Sequence, residues 1–209
     1  MLSKEKLERN LEVPKGKADV ILDTDTYNEA DDQFALAYLL LSGEKLNTVG
    51  ICAAPFLNAN SASPADGMEK SYGEILHILG LMHREELIPH VYRGACGYLP
   101  DEKTPVVTDA SEFMVREARK HSPEHPLYIV SIAAATNVAS AILTDPAAMT
   151  ENVVHIWLGG HALHWVDTGE FNMKQDIAAA RVLFGCGAPL VQLPCNGVAS
   201  GFTTTEPEL

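Results

Sequence analysis

Five carboxylates fall within ten residues in Asp23-Thr24-Asp25-Thr26-Tyr27-Asn28-Glu29-Ala30-Asp31-Asp32. The apolar run Val20-Ile21-Leu22 precedes them and a segment with helical apolar spacing follows. The local reading is a buried strand that ends in acids, then a helix that begins in acids. Asp31 and Asp32 suit a first helical turn, where the helix dipole favours negative charge. That accounts for neither Asp23 nor Asp25. Carboxylates converging at short range repel by on the order of a few kcal/mol per pair at an intermediate dielectric. Relief comes from a proton on one carboxyl or from a hard cation between them. The segment holds oxygen donors and no His or Cys, which selects calcium or magnesium over zinc.

The elements that must position these acids alternate along the chain. Apolar runs predict strands over 19–22, 48–54, 90–92, 127–132, 153–158 and 190–193. Helical spacing predicts helices over 31–41, 69–82, 111–120, 137–143 and 176–184. In the first helix the apolar stripe reads Phe34, Ala35, Leu36, Tyr38, Leu39 and Leu40. Strands separated by helices imply an α/β fold: an open, mainly parallel, Rossmann-like sheet with helices on both faces. Ligands in such sheets bind beyond the carboxyl ends of the strands. Chemistry is therefore expected at 23–32, 53–58, 132–136 and 159–172. Trp157 and Phe171 read as core residues, and Cys52 as packing within a strand.

Composition narrows the function further. The 209 residues carry 15 Lys and Arg against 28 Asp and Glu, a formal charge of −13. That excludes a generic nucleic-acid binder, since nothing would neutralise a phosphate backbone. Cys52, Cys96, Cys186 and Cys195 are widely spaced, which indicates neither a zinc cage nor a disulfide framework. The opening MLSKEKLERN lacks the apolar centre of a secretory signal, and no apolar run is long enough to span a membrane. The expectation is a soluble cytoplasmic protein that acts on a small molecule, with neither nucleic acid nor membrane as partner.

Two enzyme types open with such a strand. In phosphatases of the haloacid dehalogenase type the first Asp, here Asp23, is a covalent nucleophile assisted by magnesium. That reading needs a later Thr, a Lys and an acidic pair. Thr136, Lys174 and the solitary Asp176 supply these incompletely. The second resemblance has more ordered parts. The chain resembles the inosine–uridine-preferring nucleoside hydrolase family in its D-x-D and D-D acids and in Val91-Tyr92-Arg93-Gly94-Ala95. The resemblance continues through Ala135-Thr136-Asn137-Val138-Ala139 and through His155-Ile156-Trp157-Leu158-Gly159-Gly160 followed by Glu170-Phe171-Asn172 and Asp176. It covers the chain from about Val20 to Leu193.

The resemblance implies a calcium ion at the carboxyl edge of the sheet, held by Asp25, Asp32 and the backbone carbonyl of Ile132. It implies Asp25 as general base toward a water that attacks the anomeric carbon of a ribonucleoside, releasing free base and ribose for purine and pyrimidine salvage. By the same resemblance Asp31 accepts from a ribose hydroxyl, and Glu170 and Asn172 hold the sugar on its 5′ side. His161 and His164 follow a glycine turn at a strand end, where a nucleobase contact is expected of His164. Asn58 is the nearest candidate for an asparagine that the family places after its second strand.

Three departures qualify these expectations. The family's tight proline–glycine turn is replaced by the longer Thr26 to Ala30, which brings Asn28 and Glu29 near the acids. The asparagine after the second strand is out of register. Family domains also continue past 190–193, later supplying an aspartate to the metal and a histidine to the leaving base. Here no Asp follows Asp176, no His follows His164, and 201–209 is polar and patternless. The expectation is one nucleoside-hydrolase-like domain over 1–209, incomplete at its carboxyl end, weak or inactive, with uncovered apolar surface favouring a homo-oligomer. A non-catalytic calcium- or ribose-binding fragment is the alternative.

Overall fold

A computed structural model describes residues 2–205. Strands β1 (Ala18–Thr24), β2 (Leu46–Ala53), β3 (Val91–Arg93), β4 (Leu127–Ser131), β5 (Val153–Leu158) and β6 (Leu190–Leu193) form one sheet in the order β3-β2-β1-β4-β5-β6. Every neighbouring pair is parallel. The chain winds outward in one direction through β2 and β3, then restarts on the other side of β1 with β4. The direction switches between β1 and β4, and open α/β sheets bind ligands beyond the carboxyl ends of the strands at such a point. The acids at the end of β1 lie at that point.

Both faces of the sheet are covered. Helices α1 (Lys4–Asn10), α2 (Ala30–Leu41), α3 (Pro64–Leu81), α4 (Asp109–Ala118), α5 (Thr136–Thr144), α6 (Pro146–Glu151), α7 (Phe171–Gln175) and α8 (Ile177–Gly185) follow in chain order. Successive residues of a strand point to opposite faces, so Val20 and Leu22 pack with Leu36 and Leu39 of α2 and Ile75 and Leu79 of α3. Ile21 turns the other way, toward Met114 of α4, Val138 and Ile142 of α5 and Leu183 of α8. A central strand covered on both sides reads as a continuous apolar run, which is why 20–22 stood out in the sequence. Trp157 and Cys52 are fully buried in this core, as expected, whereas Phe171 is only half-buried.

The structure departs from the sequence reading where local chemistry outweighs periodicity. Helix α3 begins five residues earlier than expected, because Ser63 accepts from the Asp66 N–H at 3.1 Å and Pro64 occupies the first turn. The short helices α6 and α7 are set by their caps, Asp145 and Glu170, rather than by an apolar stripe. The stripe on α2 is corrected: Phe34 and Tyr38 are 61% and 70% exposed, and Leu36, Leu39 and Leu40 face the core. A helix apolar on nearly every side gives periodicity no face to choose. Among the described residues no helix is long and apolar enough to cross a membrane. Of the polar run 201–209, residues 206–209 lie outside the described residues.

Candidate functional site

Asp23, the penultimate residue of β1, is buried with its carboxylate fully engaged. Asn137 Nδ2 donates to Oδ1 at 2.8 Å and Ser131 Oγ donates to Oδ2 at 3.0 Å. Burial pushes this carboxyl up to about 7, against the opposing effect of those two bonds. Asn137 also donates to the Ala53 carbonyl at 3.1 Å and accepts the Ala95 N–H at 2.9 Å, so one side chain at the start of α5 ties together the ends of β1, β2 and β3. Gly94 has no room for a side chain, since a Cβ there would meet the Ala53 carbonyl and the Asn137 carboxamide. Asp23 is a sealed structural acid, a poor fit to the free nucleophile that phosphatase chemistry requires.

Asp25 is the opposite case. It is fully buried, and neither carboxylate oxygen has a hydrogen-bond partner among the described residues. Burial first, and the charge of Asp32 second, hold its carboxyl well above the usual carboxylate range. Asp32, in the first turn of α2, is also buried and accepts from Thr24 Oγ1. Its carboxyl is pushed up to about 7 by burial, opposed by the Thr24 bond and reinforced by the charges of Asp31 and Glu29. Asp31 stands exposed on the same turn. The structure thus brings Asp25 and Asp32 within electrostatic reach of each other.

Among the described residues no group of three or more His, Cys, Asp or Glu side chains could hold a metal ion. Asp25 feels the charge of Asp32, and Asp23 is engaged elsewhere. Orphaned buried oxygens on Asp25, beside an all-oxygen neighbour in Asp32, fit a hard divalent cation as part of a shell, with the remaining ligands to come from backbone, water or substrate oxygens.

Across the crevice, Glu170 and Asn172 do structural work. Glu170 caps α7, accepting the N–H groups of Asn172 and Met173 at 2.8 Å and that of Gly160 at 2.7 Å. Gly160 lies at φ +76, the left-handed region open to glycine. Asn172 Nδ2 donates to the Ile132 carbonyl at 3.0 Å and the Leu158 carbonyl at 3.1 Å, latching the ends of β4 and β5 together. The Ile132 carbonyl expected to face a cation therefore already accepts one protein hydrogen bond, and among the described residues Asn172 Oδ1 accepts none. His164 lies exposed in the following loop, and His161 accepts the Asn196 N–H at 3.2 Å.

Asn58 Nδ2 donates to Asn28 Oδ1 at 2.5 Å, joining the loop after β2 to the long turn after β1. The sequence reading missed two further residues here. Tyr98 donates to Gln175 Oε1 at 2.7 Å, and the Leu57 N–H donates to the same oxygen at 2.8 Å. Burial, then the charges of Asp25 and Asp176, raises the Tyr98 phenol to about 12, so the hydroxyl stays protonated beside the acids. The signal for Tyr98 lay only in its position in a glycine-containing loop after a strand. Gln175 could have been suspected only as the neighbour of Asp176, whose carboxylate accepts from Thr136 Oγ1 and from the N–H groups of Leu99 and Ala179.

The model of the inosine-uridine preferring nucleoside hydrolase family matches residues 20–208. Among solved structures, the purine-preferring ribonucleoside hydrolase from Gardnerella vaginalis is similar with a TM-score of 0.62 and 21% identity, over 83% of this chain and 60% of that one. The effector protein XOO4466 is similar with a TM-score of 0.59 and 21% identity, over 93% of this chain and 61% of its own. The inosine-uridine preferring nucleoside hydrolase from Bacillus anthracis gives a TM-score of 0.54 and 13% identity, over 85% and 64%. At these identities the structures establish a shared fold, and this chain spans about three fifths of their length. Comparison with curated proteins gives no match.

Proposed function

Because the chain belongs to the inosine–uridine-preferring nucleoside hydrolase family, we propose that its crevice hydrolyses the N-glycosidic bond of ribonucleosides to free base and ribose. The observation that carries this reading is the pair of unpartnered, buried Asp25 oxygens at the switch point of the sheet. A carboxylate in that state must be protonated, cation-bound or met by substrate.

Calcium is the cation we assign; Asp25 and Asp32 would hold it, with the Ile132 backbone carbonyl as a further oxygen donor. Bound there, it would lower the pKa of a water and orient the ribose hydroxyls. Asp25 would act as general base, taking the proton of a water that attacks the anomeric carbon. Asp31, on the exposed side of the same helical turn, accepts from a ribose hydroxyl. Asn172 Oδ1, free of protein bonds, faces the sugar on its 5′ side, with Glu170 fixing the turn that carries it. Fixed acceptors around the ring favour the oxocarbenium-like transition state, where positive charge develops. His164 approaches the base side of the crevice in this reading.

A second reading is binding of calcium and ribose without turnover. It is favoured by one observation: the polar atoms of Glu170 and the amide nitrogen of Asn172 are engaged by the fold. In either reading we place the protein in the cytoplasm, in keeping with four unpaired cysteines. Self-association belongs to the same proposal, since Phe34, Tyr38 and Leu41 leave an exposed apolar strip on α2.

The test is release of free base from inosine and uridine by the chain with calcium present. Turnover that falls about a thousand-fold in Asp25→Asn supports hydrolysis. Calorimetric binding of calcium and ribose without base release supports the second reading, and neither binding nor release overturns both.

A further inference from the structure

Asn28 lies midway along the long turn between Asp25 and Asp31, and only 5% of it is exposed. Its backbone N–H donates to the Asp25 carbonyl at 2.6 Å, and its own carbonyl accepts from Asn60 Nδ2 at 2.9 Å. Three carboxamides meet here, and one backbone group sets the orientation of two of them, Asn58 and Asn28. The Asn60 N–H, which can only donate, points to Asn58 Oδ1 at 2.8 Å. Asn58 therefore turns its Nδ2 toward Asn28, and the Asn28 atom that receives it is Oδ1. That leaves Asn28 Nδ2 facing away from the clasp. It makes no hydrogen bond with any described residue. Nor is it one of the sealed, unpartnered atoms, which are Asn10 Nδ2, both Asp25 oxygens, His155 Nδ1 and Gln175 Nε2. A largely buried side chain thus holds one open donor on the turn that joins Asp25 to Asp31 and Asp32.

The chemistry of that rim is otherwise one-sided. Ionised carboxylates only accept, so Asp25, Asp31 and Asp32 bind a cation or the proton of a hydroxyl. An aliphatic hydroxyl has lone pairs as well, which those acids cannot satisfy. An amide N–H on the turn that joins them would complete recognition of a hydroxyl and disfavour an ammonium group. We propose that Asn28 is a sugar-binding residue, whose Nδ2 donates to the oxygen of a ribose hydroxyl that gives its proton to a neighbouring acid. Asn58 is a positioning residue: it sets the direction of the Asn28 carboxamide and does not touch the sugar. This inference rests on the ribonucleoside reading above.

The experiment is calorimetry of the full chain with D-ribose, 2-deoxyribose and 3-deoxyribose, calcium present throughout. Asn28→Asp keeps an oxygen for Asn58 and removes the donor, while Asn58→Ala keeps the donor and releases its direction. The wild-type chain binds ribose in preference to at least one deoxy sugar. In Asn28→Asp that preference falls about ten-fold, the effect of one lost hydrogen bond. In Asn58→Ala it falls by a smaller factor, and calcium affinity without sugar stays within about two-fold of wild type. A variant that merely loosened the loop would weaken all three sugars equally. Unchanged preference in both variants, or equal weakening of every sugar, overturns the assignment of Asn28 alone. Failure of the wild-type chain to bind any of the three sugars overturns the ribonucleoside reading and this inference with it.

Discussion

The two walls of the crevice handle their buried polar groups in opposite ways. On the β1 wall, Asp25 is sealed from solvent with both oxygens unpartnered, and Asn28 holds an open donor. On the β5 wall, Glu170 satisfies three backbone N–H groups and Asn172 bridges two carbonyls. An unmet buried carboxylate costs free energy and persists only where something else maintains it. A fully bonded one contributes to the fold. The comparison therefore separates a wall with unmet buried polar groups from one whose polar groups are largely met by the fold, although both carry the acids and amides that the family resemblance assigns to the site.

The largest expected effect tests the supporting wall. Glu170→Ala leaves three backbone donors without an acceptor and removes the cap of α7, destabilising the protein by about 4 kcal/mol. Glu170→Gln retains one acceptor oxygen and costs about 2 kcal/mol. Urea unfolding at neutral pH measures both. A Glu170→Ala variant of wild-type stability would show that the β5 wall is free to bind rather than committed to structure.

A smaller effect sharpens the comparison by asking whether every orphaned atom is functional. His155 lies in β5 away from the crevice, fully buried, with Nε2 donating to the Met149 carbonyl at 2.9 Å and Nδ1 unpartnered. Burial lowers its pKa from 6.5 to about 4. Between those values the unfolded chain binds the proton that the folded chain refuses. Stability from this group is thus complete above pH 6.5 and declines as pH falls toward 4. The full decline is about 3 kcal/mol. The raised carboxyls of Asp23 and Asp32 respond in the opposite sense, so the difference between wild type and His155→Gln isolates the histidine. The expectation is that urea midpoints of the two proteins converge toward pH 4 and separate toward pH 7, with ribose binding unchanged. Altered ribose binding in His155→Gln would break the rule that position at the strand ends, and not the missing partner alone, marks a functional atom.

Particular residues show what the sequence made legible. The run 20–22 and the acids after it were readable because a doubly covered strand is continuously apolar and because converging carboxylates need a cause. The edge at which ligands bind followed from strand–helix alternation. The outward side of α2 was not readable, since Phe34 and Tyr38 are as apolar as the residues that pack. Nor were the roles of Glu170 and Asn58. A cap and a substrate contact use the same residue types, and only the three-dimensional partners distinguish them: Gly160 for one, Asn28 for the other. Tyr98 and Gln175 met through folding across 77 positions of sequence, with no motif to join them.

The central claim is that Asp25 and Asp32 form a site for a doubly charged, oxygen-seeking ion. Its most direct test is a calcium titration by calorimetry of the wild-type chain beside Asp25→Asn, without nucleoside. The account predicts saturable binding of about one ion by the wild type and affinity at least about ten-fold weaker in the variant. Equal binding by the two proteins, or no heat from the wild type at millimolar calcium, contradicts it.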